Sequence, residues 1–145
     1  MRATANKLPI LASIFLWIGF VGAISFMEAW LKFKAPTLTL PVGLGIGKLV
    51  FNALNKVELV LALVILLTIY RTSKEIITWK NLYYLIPLAL LIFQTLILLP
   101  ILDTRATAII ENEVIPMSRA HIYYIGLEIV KVTSLLIYGI NINKT

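Results

Sequence analysis

The chain contains no cysteine and only one histidine, His121. The absence of cysteine excludes disulfides, thiolate metal sites and redox chemistry based on cysteine. One histidine does not make a conventional zinc site without three further ligands. We therefore predict no metal site, and the composition identifies no cofactor.

Charged residues are also scarce, at 14% of 145 residues, whereas hydrophobic residues make up 60%. Together with a mean hydropathy of +0.94, this composition is typical of a polytopic membrane protein. A membrane-spanning helix needs about 20 apolar residues, so the length admits four spans and no separate soluble domain. The net charge is +6, and the basic residues near span edges suit lipid head groups rather than nucleic acid.

Four apolar segments predict an all-α integral membrane protein, folded as an antiparallel four-helix transmembrane bundle that forms one domain over residues 1–145. The predicted spans are residues 8–31, 45–70, 82–102 and 118–140. On the side of the N-terminus there are six Lys and Arg residues, against five on the other side. The positive-inside rule therefore slightly favours both termini in the cytoplasm, with the protein in the inner (cytoplasmic) membrane of a bacterium.

The second span is polar in its first half. Lys48, Asn52, Asn55 and Glu58 are spaced by four, three and three residues, so they share one face of a helix. The apolar segment 59–70 is too short to cross a bilayer alone, so the polar half must lie in the membrane as well. Its polar face is then expected to meet protein or trapped water rather than lipid.

A glycine-rich run, Gly43-Leu44-Gly45-Ile46-Gly47, precedes this polar face. It is not a dinucleotide-binding fingerprint, because no strand precedes it and the third glycine is misplaced. Two interpretations remain open. The run is either the close-packed start of a helix or a set of backbone N–H groups able to hold an anion.

The fourth span carries a matching polar face, formed by His121, Tyr124, Glu128 and Lys131 at steps of three, four and three. At 1.5 Å per residue, Glu58 lies roughly 15 Å below Lys48 and Glu128 roughly 15 Å below Ser118, so both are near the midplane, with Lys56 and Lys131 within a turn. A lone charge there costs about 2.5–3.5 kcal/mol. We therefore expect Lys56, Glu58, Glu128 and Lys131 to form structural ion pairs between helices. The same residues are alternatively the floor of a hydrated cavity, and both interpretations can hold.

Alternating spans bring the ends of spans one and three beside the starts of spans two and four. The candidate ligand-binding or proton-handling residues are Glu28, Lys32, Lys48, Asn52, Asn55, Asp103, Arg105, His121 and Glu128. Lys32, Lys48 and Arg105 would hold an anionic group, whereas the acids and His121 would handle protons or bind a cation. For His121 the alternative is a simple hydrogen bond to a carboxylate. For Asp103 and Arg105 the alternative is a pair that anchors the loop.

Four stretches carry a resemblance: S-F-M-E-A-W-L-K-F-K-A-P from Ser25, G-L-G-I-G-K-L-V-F-N-A-L-N-K-V-E from Gly43, L-D-T-R from Leu102, and H-I-Y-Y-I-G-L-E-I-V-K from His121. In these the chain resembles small four-span bacterial membrane proteins of unknown function. Its architecture is also similar to the copper-resistance-D and four-span protoporphyrinogen-oxidase families, and those resemblances imply copper or haem. The haem-type families place histidine in early spans, whereas this chain has none before His121, so no ligand set is carried over.

Three functions fit these patterns. The first is a membrane protein whose intramembrane polar cluster opens to the outer face and binds or processes a small or amphiphilic ligand. The second is a non-enzymatic membrane subunit or scaffold, in contact with a partner membrane protein, whose buried charges only fix helix packing. The third is a small transporter acting as an oligomer. No catalytic residue is identified, so the sequence leaves open whether the protein is an enzyme.

Overall fold

The computed structural model of the chain describes residues 2–73 and 76–144, whose regular structure is helical throughout. Helix α1 covers residues 2–34 and changes type along its length: Arg2–Val21 is α-helical, Gly22–Glu28 π-helical, Ala29–Leu31 α-helical and Lys32–Lys34 a 3₁₀ turn. Helix α2 is Leu40–Ser73, and a 3₁₀ turn at Trp79–Asn81 leads into α3. Helix α3 covers residues 82–110 with a π-helical segment at Gln94–Leu98, and α4 is Ala120–Lys144.

All four helices are long and apolar enough to cross a membrane, over Lys7–Lys34, Leu40–Thr72, Leu82–Ile110 and Ala120–Ile142. Helix α2 begins at Leu40, before the predicted residue 45. Pro41 does not prevent this earlier start, because it lies in the first turn, where a missing N–H is tolerated. Helix α3 continues beyond the predicted residue 102 to Ile110. Asp103 and Arg105 are therefore helical residues rather than loop residues.

The end of α3 is set by Asn112, whose φ of 60° lies in the left-handed region. The backbone N–H of Glu111 donates to Thr107 O at 3.0 Å, and that of Glu113 donates to Ala108 O at 2.9 Å. A left-handed residue after a helix satisfies the last carbonyls in this way, and asparagine tolerates that conformation better than most residues. The chain then needs no proline or glycine to leave the helix here.

The four helices pack as a ring around one core. Helix α1 contacts α2 and α4; the first half of α3 contacts mainly α4, and its second half contacts mainly α2. The core consists mostly of large apolar side chains from all four helices: Ile14, Trp17, Val21, Leu54, Ile65, Tyr84, Leu91, Leu135 and Tyr138. The outer surface is apolar as well, since Phe15, Leu49, Leu96 and Ile122 are all exposed. Apolar surface on this scale marks contact with a membrane or with other proteins.

The glycine-rich start of α2 packs closely against the end of α1. A side chain at Gly43 would collide with the ring of Phe33, and a Cβ at Gly47 would lie 2.9 Å from Lys32 Nζ. Both glycines therefore permit a close approach of the two helices, which agrees with the first of the two interpretations of the run. It also brings the Lys32 ammonium beside the polar face of α2.

Candidate functional site

The polar side chains form two separate regions. We call the first the buried cluster, and it consists of Trp17, Glu58, Gln94, Glu128 and Lys131. We call the second the open cavity, a space of about 420 Å³ whose charged or titratable lining residues are Lys32, Lys48, Asp103, Arg105 and His121. The first is enclosed, whereas the second opens at the surface, so the two regions have different chemical capacities.

Lys131 is the centre of the buried cluster. Its Nζ atom lies 2.5 Å from Glu58 Oε1 and 2.9 Å from Glu128 Oε1, and donates to Gln94 Oε1 at 2.8 Å. An ammonium group has three donors, so Lys131 has a partner for each of them. The side chains of Lys131, Glu58 and Glu128 are 0% exposed. The predicted ion pairs of these three residues are therefore present and sealed from solvent.

Trp17 and Gln94 complete the cluster, so each of the four helices contributes to it. Trp17 Nε1 donates to Glu58 Oε1 at 2.6 Å, and Gln94 Nε2 donates to Glu128 Oε1 at 3.0 Å. Gln94 opens the π-helical segment of α3, a type of local distortion that occurs frequently at functional sites. The cluster therefore links α1, α2, α3 and α4 through charge-assisted hydrogen bonds.

Three buried polar atoms beside Lys131 have no hydrogen-bond partner: Glu58 Oε2, Glu128 Oε2 and the Tyr124 hydroxyl oxygen. Tyr124 is 1% exposed and interacts electrostatically with both carboxylates, and its hydroxyl is within reach of Glu128. Buried polar groups normally have partners, so three such atoms in one place are unusual. The cluster has two acids for one base and retains hydrogen-bonding capacity that its own side chains do not use.

The prediction that Lys56 takes part in the ion pairs is wrong. Lys56 is exposed and takes part in none of the ion pairs found within the described ranges. It precedes Glu58 by two residues, which on an α-helix turns its side chain roughly 200° away. Proximity in sequence within one turn was therefore a poor guide to proximity in space.

The open cavity has largely apolar walls. Its apolar lining includes Phe33, Leu44, Phe51, Leu99, Leu102 and Ile109. Lys32, Lys48 and Arg105 line it against a single acid, Asp103. With His121 neutral, these lining residues carry a net charge of +2, from three cations and one carboxylate. Such a lining suits a ligand that combines apolar surface with negative charge.

The cations of the cavity have different partners. Lys32 Nζ lies 3.2 Å from Glu28 Oε2, whereas Lys48 Nζ donates to the neutral Thr107 Oγ1 at 2.9 Å. Lys32 also interacts electrostatically with His121. Lys48 forms no ion pair among those found in the described part of the chain, so its positive charge is not neutralised there.

Asp103 and Arg105 do not pair with each other within the described part of the chain. Asp103 Oδ2 accepts a hydrogen bond from Asn52 Nδ2 at 2.8 Å, and Arg105 donates to the Pro116 carbonyl at 2.5 Å. Arg105 alone thus ties α3 to the segment before α4. The anchoring of this segment therefore does not require the predicted ion pair between Asp103 and Arg105.

A second cavity of about 370 Å³ adjoins the first on the surface. It shares Lys48 and Asp103 with the open cavity and adds the exposed acids Glu111 and Glu113. Lys48 therefore lies between the two spaces and is accessible from both.

Most of the candidate residues do come together. Glu28, Lys32, Lys48, Asn52, Asp103, Arg105 and His121 line the open cavity or bond to a residue that lines it. Asn55 lies elsewhere and donates to Thr95 Oγ1 at 2.7 Å. Glu128 belongs to the buried cluster, and no cluster residue lines the open cavity. Glu58, Glu128 and Lys131 therefore do not line that cavity.

Between the two regions lies an aromatic pair. Phe51 lines the open cavity, and its ring contacts Tyr124 edge to face with centroids 5.5 Å apart. Trp17, Gln94 and Tyr124 were absent from the predicted site. Gln94 could have been found as the one strongly polar residue inside the third span, whereas nothing in the sequence distinguishes Trp17 from an ordinary core residue.

Within residues 2–73 and 76–144 no group of three or more His, Asp or Glu residues is arranged to hold a metal ion. No family model, curated protein or solved structure matches the chain. The family resemblances therefore remain predictions, and function has to be argued from the two polar regions.

Proposed function

We propose that the chain is an integral protein of the bacterial cytoplasmic membrane, with four antiparallel spans and both termini in the cytoplasm. The exposed apolar side chains on all four helices support insertion. The contacts Lys48–Thr107, Asn52–Asp103, Asn55–Thr95 and Ala62–Tyr84 support opposite directions for α2 and α3, since one number rises as the other falls. Four spans place both termini on one side, and the small excess of basic residues favours the cytoplasm.

The topology is testable with single cysteines, because the chain has none of its own. Val114 and Ile77 are both highly exposed, on segments that the proposal assigns to opposite sides of the membrane. A membrane-impermeant maleimide should label Val114→Cys in intact cells and Ile77→Cys only after permeabilisation. The reverse pattern would contradict the orientation, and equal labelling of both in intact cells would contradict the four-span arrangement.

We further propose that the open cavity binds an anionic amphiphile. The observation that carries this proposal is the combination of an apolar lining with three cations and one carboxylate. A volume of about 420 Å³ lies within the roughly 300–1,000 Å³ of typical ligand sites. In this arrangement Phe33, Phe51 and Leu102 contact an apolar chain.

In this proposal the anionic head group of the ligand binds to Lys48 and Arg105. The partner of Lys48 is a hydroxyl and that of Arg105 is a backbone carbonyl, so neither partner cancels the positive charge. Both are able to exchange or add a charge-assisted hydrogen bond to a carboxylate or phosphate. Lys32, which already has Glu28 at 3.2 Å, contributes less.

The buried cluster supports an alternative function. Its sealed ion pairs link four helices without any ligand, as expected of a membrane subunit or scaffold whose charges only fix packing. That alternative gives the open cavity no ligand to bind.

A binding titration separates the two functions. The purified protein in mild detergent is titrated with a fluorescent fatty acid, beside an alcohol of the same chain length. We expect the acid to bind more tightly, and Lys48→Met or Arg105→Gln to weaken it about tenfold, equivalent to 1.4 kcal/mol. Lys56→Met is the matched control, since this exposed lysine lies on the same helix outside the cavity. Equal affinity for acid and alcohol, or equal loss in all three variants, would contradict the proposal.

A further inference from the structure

The buried cluster has an imbalance of charge that packing alone does not explain. Two carboxyl groups, Glu58 and Glu128, face one ammonium group, and all three are fully enclosed. The neighbouring polar groups are neutral: Trp17 on α1, Gln94 on α3, and Tyr124 on α4 itself. With both acids ionised, the cluster would keep one uncompensated negative charge away from solvent.

Such a charge is strongly disfavoured. Burial removes the hydration of a carboxylate, and the ammonium of Lys131 compensates only one of the two. The simplest way to remove the excess is to bind a proton, since a buried group without a partner charge neutralises rather than remaining ionised. The proton is then expected to bind to a carboxyl oxygen that does not already accept hydrogen bonds.

The atoms for that proton are present. Glu58 Oε1 accepts from Lys131 and Trp17, and Glu128 Oε1 accepts from Lys131 and Gln94. The other oxygen of each carboxyl group, Oε2, is buried without a partner, and the Tyr124 hydroxyl lies within reach of Glu128. Each acid thus has one oxygen turned to the ammonium and one oxygen free to carry hydrogen.

We propose that the buried cluster is a proton-binding site in which Glu58 and Glu128 share one proton, carried on an Oε2 atom, while Lys131 stays an ammonium. Each acid faces Lys131 and one neutral N–H donor, and the Tyr124 hydroxyl lies within reach of Glu128 in addition, so we assign the proton to the pair rather than to one residue. This inference does not depend on ligand binding in the open cavity, from which the cluster is separated.

Infrared spectroscopy of the intact protein in lipid bilayers at pH 7 tests the site. An exposed glutamic acid is ionised at this pH, because its ordinary pKa is about 4.3. We therefore expect one carbonyl band of a protonated carboxyl group, shifted in D₂O. The band should vanish in both Glu58→Gln and Glu128→Gln, because each change leaves a single carboxylate balanced by Lys131. Glu28→Gln, at a partly exposed ion pair, should retain it.

The other outcomes are equally decisive. A wild-type protein without the band would overturn the proposal, and no variant is needed for that measurement. A second contrary outcome is that the band is missing while sodium chloride, unlike choline chloride, raises the unfolding temperature of the protein. In that case the buried cluster binds a monovalent cation instead of a proton. A band that survives in Glu58→Gln and Glu128→Gln would also overturn it. Should these variants fail to fold, the wild-type spectrum decides by itself, since the band is expected there and its absence overturns the proposal.

Discussion

The buried cluster and the open cavity use the same kinds of side chain to opposite effect. In the cluster, every donor of Lys131 has an acceptor and the charged groups are 0% exposed. In the cavity, Lys48 and Arg105 bond to neutral oxygens and line a space that opens to the surface. Enclosure, rather than residue type, therefore separates charges that hold helices together from charges that remain free for a ligand.

The physical reason is the cost of leaving a charge without a partner. Inside the bundle an unpaired charge is expensive, so Lys131 and its acids can only exist together. At the cavity, solvent takes the place of a missing partner, and an ion pair such as Glu28–Lys32 contributes little to stability. The same substitution is therefore expected to have a large effect in one region and a small effect in the other.

The largest effect is expected for Lys131→Met. It leaves two buried carboxyl groups without a cation, and losing one partner of a buried pair costs about 3–5 kcal/mol. Lys56→Met, on an exposed lysine, should change the free energy of unfolding by only about 0.5 kcal/mol. Denaturant titration of both variants in detergent, followed by circular dichroism, measures the difference. Similar losses in the two proteins would contradict the distinction between enclosed and exposed charge.

A smaller loss is expected for Trp17→Phe, which keeps an aromatic ring but removes the donor to Glu58 Oε1. Leaving a buried acceptor short of one hydrogen bond costs about 1–3 kcal/mol. Trp30→Phe is the matched control, because that indole is half exposed and donates to a backbone carbonyl in its own helix. The same unfolding titration should give a loss for Trp17→Phe that exceeds the loss for Trp30→Phe, and the reverse order would sink this prediction.

Among the substitutions in the two polar regions, the smallest effect on stability is expected for Asn52→Ala, at the edge of the cavity. It removes the hydrogen bond to Asp103, at a cost of about 1 kcal/mol. The freed carboxylate would then compete with an anionic ligand for the cations, so we expect the affinity for the fluorescent fatty acid to fall several-fold. Adding Asp103→Asn should restore the affinity without restoring stability. Failure of that rescue would show that Asp103 does not act through its charge.

Part of this arrangement is readable from the sequence. The spacing of His121, Tyr124, Glu128 and Lys131 predicts one face of a helix, and the cost of isolated charges predicts that Glu58 and Lys131 find partners. The clustering of Lys32, Lys48, Asp103 and Arg105 also follows from the order of the apolar segments. The boundaries of the helices were less predictable, because the end of α3 depends on the backbone of Asn112 rather than on hydrophobicity.

Hydrophobicity and residue spacing are enough to predict four apolar helices, the polar faces on two of them, and the need for internal pairing. The packing of the helices is what pairs Lys131 rather than Lys56 with Glu58, and what adds Trp17 and Gln94 to the cluster. It also decided that the charges are divided into two regions, with Phe51 and Tyr124 in contact between them. The reason is that sequence spacing specifies which residues share a face of one helix, whereas packing sets how each helix is rotated towards its neighbours.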